Sequence, residues 1–224
     1  VKLGVLLPTF RNGAVDALAF ADAAADAGLD GVFAYDHLWP MGSPTRPSLA
    51  PFPLLAAVAR RHGDLVVGPL VARIGLVGTD HLVEQFRTLS AFAPGRVIAA
   101  LGSGDKLSAP ENEAYDVTVR SADERREMMA DTARALSSEM PVWFGAGSDE
   151  TNRVARTVDA VINLWDASPQ RVRAMKESGP VSWAGPVPSH LATTLDALRD
   201  AGATWAVLTP DADVAAMRTW IGHQ

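Results

Sequence analysis

Residues 3–37 run LGVLLPTFRNGAVDALAFADAAADAGLDGVFAYDH, and the order of elements in this stretch decides the fold. Leu3 to Leu7 is a continuous apolar run, as expected of a parallel strand buried on both faces. An Ala-rich amphipathic stretch follows, and Gly28 sits where that helix should stop. Gly31 to Tyr35 then forms a second apolar run, so the segment reads as one β-α-β unit. Between the first strand and the helix stands Pro8-Thr9-Phe10-Arg11-Asn12-Gly13, with a single glycine. An open dinucleotide-binding sheet needs a Gly-rich fingerprint at this point, so the Rossmann reading fails at its key position.

The same alternation continues to the end of the chain. Further strand candidates are Leu65 to Val71, Val97 to Leu101, Val142 to Gly145, Ala160 to Leu164, Val181 to Ala184 and Trp205 to Leu208. Eight units in 224 residues leave 28 residues each, close to the minimum for a strand, two turns and a helix. The expected fold is therefore α/β, a compact (β/α)8 TIM barrel, with residues 1–224 as one domain because no linker divides them. Helix ends are marked by a capping box at Ser121 and Glu124, by Ser168 before Pro169, by Ser189 after Pro188, and by Gly202. Leu82, Val83, Phe86 and Leu89 form one core stripe at helical spacing, and Val214, Met217, Trp220 and Ile221 form another. Two stretches lack either signal, Trp39 to Pro53 and Gly102 to Arg120, and both follow strands, which places them on the catalytic face.

Composition narrows the chemistry. Twenty Lys+Arg against 26 Asp+Glu give a net charge of −6 without any long basic run, which disfavours a nucleic-acid partner. The absence of cysteine removes disulfides, thiolate nucleophiles and Cys-ligated metals. His62, His81, His190 and His223 show no ligand spacing, so no metal is expected, and no Gly-x-Ser-x-Gly elbow suggests an esterase. No apolar stretch approaches a membrane span and no signal peptide opens the chain, so the expectation is a soluble, unprocessed, cytoplasmic protein.

In a barrel the functional groups stand just past the strand C-termini. Asp36 and His37 close the second strand, placing an imidazole able to exchange a proton near neutral pH at the barrel mouth. His37 could instead brace the long loop after it. Gly145-Ala146-Gly147-Ser148 leads into a helix N-terminus, where backbone N–H groups can approach a phosphate and Ser148 adds a donor. A plain glycine turn with an N-cap is the other reading of that loop. Gly102-Ser103-Gly104-Asp105 is a lone Gly-x-Gly after the fourth strand, and Glu111-Asn112-Glu113 reads as a solvated loop or a helix-start signal.

Together these strand-end motifs resemble the luciferase-like monooxygenase superfamily, in its branch of deazaflavin (coenzyme F420) dependent oxidoreductases. The matching segments are 27–38, 67–71, 88–105 and 141–147, with the Pro94-Gly95-Arg96, strand, Gly-x-Gly-acid block the most specific. The resemblance implies a TIM barrel that binds coenzyme F420, or alternatively FMN, at the strand C-termini, and passes a hydride to or from a small organic substrate. It implies His37 and Asp105 as the acid/base residues. Asp36, Gly102 and Gly104 would line the cofactor. Gly68, Pro69 and Leu70 would form a bulge backing its ring, where the family often has a non-prolyl cis peptide. Gly145, Ala146, Gly147 and Ser148 would hold its phosphate, and Trp165 would lie beside the ring. Gly185-Pro186-Val187-Pro188 spans the gap where full-length members carry a long insertion, so the late-barrel insertion is missing and the site more open. Arg73 and Lys106 are the basic loop candidates for anionic groups. The resemblance also implies a homodimer, with Leu49, Phe52 and Leu55 as surplus apolar residues. Two alternatives stay open, a catalytically silent flavin-binding barrel and an unrelated barrel lyase or epimerase using Asp36, His37 and Asp105.

Overall fold

The computed structural model describes all residues except Met41, Thr45, Asp105, Ala146, Gly147 and Gln224, and for Lys106 the backbone alone. The alternation is realised from the first residues onward. It begins β1 (Lys2–Leu6), α1 (Val15–Asp26), β2 (Gly31–Ala34), α2 (Pro51–Arg61), β3 (Val66–Pro69), β4 (Ala72–Arg73), α3 (Thr79–Phe92) and β5 (Ala99–Gly102). It continues α4 (Ala109–Ala114), α5 (Ala122–Leu136), β6 (Val142–Gly145), α6 (Asp149–Thr157), β7 (Val161–Trp165), α7 (Pro169–Lys176), β8 (Val181–Gly185), α8 (Leu191–Asp200), β9 (Trp205–Leu208) and α9 (Val214–Ile221).

The strands form one parallel sheet in the order β3-β2-β1-β9-β8-β7-β6-β5-β4, with Val5 of β1 opposite both Val32 and Leu208. Its two ends meet. Val67 bridges Val97, its N–H donating to the Arg96 carbonyl at 2.8 Å while Ile98 N–H donates to the Val67 carbonyl at 3.0 Å. A Cβ on Gly68 would stand 2.4 Å from the Ile98 carbonyl oxygen, so only glycine allows this closure. The chain is thus a (β/α)8 barrel in which the third strand is split into β3 and β4. The single run expected over Leu65 to Val71 breaks after Pro69, the Leu70–Val71 peptide is cis, and β4 pairs with β5.

Side chains from opposite sides of the sheet meet inside the barrel. Phe33, Trp143 and Trp205 lie with ring centroids 5.6 to 5.8 Å apart and fill it with Leu6, Ile98, Ala100 and Val207. The barrel floor is therefore a packed core, and any site must lie above it. A second apolar layer joins sheet and helices, and Leu82, Val83, Phe86, Leu89, Met217 and Trp220 are buried in it as their spacing implied.

Local signals hold at most ends. The Ser121/Glu124 capping box is complete, and Ser168 caps α7 before Pro169. Gly28 and Gly202 take left-handed φ of 76° and 88° just past α1 and α8. The Ser189 cap is corrected: α8 starts at Leu191 after His190, without a side-chain cap bond. The Pro-Gly-Arg motif proves structural, since Arg96 Nη1 donates to the carbonyls of His62 and Leu65 at 3.0 and 2.7 Å and so ties down the turn between α2 and β3.

Candidate functional site

The split third strand builds the site. Where β3 stops, Asp36 at the end of β2 accepts a hydrogen bond from the Arg73 backbone N–H at 2.8 Å, fixing where β4 begins. Burial pushes the Asp36 carboxyl above its usual range, opposed by that hydrogen bond and by the charges of Arg73 and His37. Val71 then lies across the barrel mouth against β5 and β6. A Cβ on Gly102 would come within 2.2 Å of Val71 Cγ2, so glycine is required there to seat it.

The Arg73 side chain enters the protein and meets Glu111 on α4, Nη1 to Oε2 at 2.9 Å. The same Oε2 stands 3.1 Å from His37 Nδ1, and Oε1 accepts from the Leu38 N–H. Side chains of Arg73 and Glu111 are 6% and 2% exposed, whereas His37 is 21% exposed and has no partner for Nε2 among the described residues. One buried carboxylate therefore orients an imidazole whose other nitrogen remains available. Glu111 does lie in the first turn of α4, as the helix-start reading expected, but nothing local in the sequence marks it as more than that or a solvated loop. The signal available was Arg73, because a guanidinium at the end of a buried strand demands a counter-ion. The carboxylate at His37 Nδ1 is therefore Glu111, while the neighbouring Asp36 is bonded to the Arg73 N–H.

Other members are placed as follows. Gly68 and Pro69 end β3, and Leu70 is buried in the barrel interior. Gly104 has φ 70° over the Arg73 stem, and Trp165 ends β7 with its surface half exposed. Ser148 caps α6, its hydroxyl accepting from Thr151 N–H at 3.3 Å. Asp105, Ala146 and Gly147 lie outside the described residues. Phe10 stacks on Tyr35 at 5.4 Å and 7° on the β1/β2 side, where burial first and Asp211 second push the Tyr35 phenol up to about 12.

The residues near the mouth fit an anionic group. Among the described residues Arg73 Nε and Nη2 and Arg125 Nε are buried without hydrogen-bond partners, and both side chains line one small cavity with Ser103, Gly104, Asn112 and Arg120. Buried donors of this kind call for an acceptor, and the phosphate or carboxylates of a flavin-type cofactor supply one. Among the described residues no group of His, Asp and Glu could hold a metal ion.

Fold and site together define a TIM barrel whose chemistry sits at the strand C-termini. The model of the luciferase-like monooxygenase family matches residues 1–139, more than half of the chain, which therefore belongs to that family. It is 26% identical over 215 residues to an F420-dependent glucose-6-phosphate dehydrogenase of Nakamurella multipartita, covering 89% of this chain and 61% of that protein. It is 28% identical over 166 residues to an F420-dependent hydroxymycolic acid dehydrogenase of Mycobacterium tuberculosis, covering 74% of this chain and 44% of that one. An F420-dependent secondary alcohol dehydrogenase, solved with an F420–acetone adduct, superposes with a TM-score of 0.81 at 13% identity over 99% of this chain and 98% of the other. The chain thus spans between two fifths and two thirds of the length of these two curated relatives. Among the described residues no helix is long and apolar enough to cross a membrane.

Proposed function

We propose that this chain is the barrel of an F420-dependent oxidoreductase that passes a hydride to or from a small organic substrate. The observation that carries this reading is the oriented imidazole of His37 at the barrel mouth, next to buried guanidinium nitrogens that lack an acceptor among the described residues. The dehydrogenase names of the curated relatives agree with it. A bound deazaflavin supplies the two-electron hydride chemistry, which the protein's own side chains cannot. FMN is the alternative cofactor, and with it a monooxygenase reaction.

His37 is the proton-handling residue in this reading, and Asp105 is its acid/base companion. Gly68, Pro69, Leu70, Gly102 and Gly104 line the ring together with Asp36, and Trp165 flanks it. Gly145, Ala146, Gly147 and Ser148 at the start of α6 hold the phosphate, with Arg73 and Arg125 neutralising it. Residues 1–224 act as one barrel domain in the cytoplasm. A second copy docks on the groove of α2 and α3 lined by Phe52, Ala56, Leu89 and Phe92. Leu55 does not contribute to that surface, being fully buried in the core.

Equilibrium dialysis of the purified protein against F420 and against FMN tests the cofactor. Binding of F420 in the micromolar range is expected. Binding of neither below about 1 mM, where ordinary specific ligands are detected, would sink the reading.

A further inference from the structure

We propose that Glu111 is the positioning residue for His37, and that the Arg73–Glu111–His37 chain fixes the imidazole with its proton on Nδ1, leaving Nε2 to exchange a proton with the substrate. The argument is one of donors and acceptors. Arg73 Nη1 and the Leu38 N–H can only donate, so both oxygens of Glu111 are committed as acceptors, Oε2 to Arg73 and Oε1 to Leu38. Each oxygen already faces a donor-only group, so neither offers a proton toward His37. His37 Nδ1, 3.1 Å from Oε2, therefore has no role open to it except donor. A neutral imidazole with Nδ1–H has its lone pair on Nε2, the nitrogen without a partner among the described residues.

The inference rests on the oxidoreductase reading for the reaction it serves. In alcohol oxidation the substrate O–H bond breaks and an Nε2–H bond forms, while the O–H electron pair stays on oxygen to become part of the new C=O bond. The carbon's hydride, with its own two electrons, would be taken up by a bound deazaflavin, the acceptor that the proposed function supplies. In the reverse direction Nε2–H returns the proton to oxygen. Glu111 touches neither substrate nor cofactor in this scheme, and it acts through His37. Glutamine cannot replace it. Its NH2 must face either the Leu38 N–H or the Arg73 and His37 donors, so one face of the contact becomes repulsive.

Two measurements test the proposal. Ring 15N NMR on the wild-type protein reads the tautomer of His37 directly, with His37→Ala assigning the signal. The Nδ1–H form is expected, and a neutral His37 found as Nε2–H overturns the proposal even if no Glu111 variant folds. In Glu111→Gln the Nδ1–H preference is expected to disappear. Turnover should fall about 10- to 100-fold with substrate KM changed less than about 3-fold, the mark of a lost proton-transfer geometry. The double variant Glu111→Gln/His37→Ala should be no slower than His37→Ala alone. A double variant slowed by the product of both effects would show that Glu111 acts independently of His37, and overturns the proposal. Absence of turnover with F420 and FMN, together with an Nδ1–H tautomer that Glu111→Gln abolishes, removes the oxidoreductase reading and leaves the positioning role standing.

Discussion

The barrel carries two clusters in which one carboxylate is shared by an arginine and a histidine, and they differ in almost everything except their composition. At the mouth, Glu111 joins Arg73 and His37. At the base, Asp22 joins Arg61 at 2.6 Å and His62 Nε2 at 2.8 Å. The base carboxylate and arginine reach water, with Asp22 and Arg61 side chains 36% and 50% exposed, although His62 is as buried as His37. The mouth pair does not, and its arginine keeps two nitrogens without a partner among the described residues. The comparison teaches that distance and residue type do not identify a site. Burial of the carboxylate and guanidinium, and donors left without acceptors among the described residues, set the mouth cluster apart from the more exposed one at the base.

The largest contrast should appear on deleting the mouth carboxylate. Glu111→Ala strands a buried guanidinium, and breaking such a pair costs about 3–5 kcal/mol. Urea unfolding of the variant should show it, and a loss below about 1 kcal/mol would place the mouth cluster in the same class as the base.

Second comes the pair of histidines. His37→Ala leaves Glu111 bonded to Arg73 and to the Leu38 N–H, so the melting temperature should hardly move. Turnover should nevertheless fall about 100-fold or more, the usual worth of general acid/base catalysis. His62→Ala should leave turnover unchanged. A His37 variant that melts early but turns over normally would reduce His37 to a loop brace.

Third, the mouth partly buries Tyr35, and the base has no such phenol among the described residues. Its pKa rises from 10.0 to about 12, so the fold favours the neutral form. Below pH 10 both folded and unfolded chains carry the proton, and stability is unaffected. Between pH 10 and 12 the unfolded chain releases it first, so stability falls as pH rises, by up to about 2–3 kcal/mol. Tyr35→Phe should remove that part of the alkaline slope, measured as the difference between the two denaturation profiles. Parallel profiles would show that the phenol ionises equally in both states.

The contrast between the clusters also marks what the sequence could reveal. The eight units, the core stripe of Leu82 to Leu89 and the Ser121 capping box were legible, because periodicity and capping are local in the chain. The break of the third strand was not, since it depends on Asp36 receiving the Arg73 N–H across 37 residues. Glu111 was read as a surface residue because its partners lie 74 and 38 positions away. His37 was legible as a candidate since barrel geometry alone puts a strand-end residue at the mouth. The carboxylate at its Nδ1 was not legible, because Glu111 stands on α4, 74 positions further along the chain.

The smallest effect is expected at the base, and it decides whether the comparison is sound. Asp22→Ala removes both ion pairs, yet Arg61 is half exposed and can return to water. His62 loses its acceptor, but its backbone carbonyl still receives Arg96, so the α2 turn keeps its main anchor. The cost should stay below about 1 kcal/mol, a shift of roughly 2–4 °C or less in melting temperature for a chain of this length. Because screening at 1 M salt acts over about 3 Å, the difference from wild type should shrink between low and high salt. Turnover should not change at either. A loss of 3 kcal/mol, insensitive to salt, would mean that an exposed Arg-Asp-His cluster can hold this fold as firmly as a buried one. The distinction drawn between the two ends of the barrel would then fail.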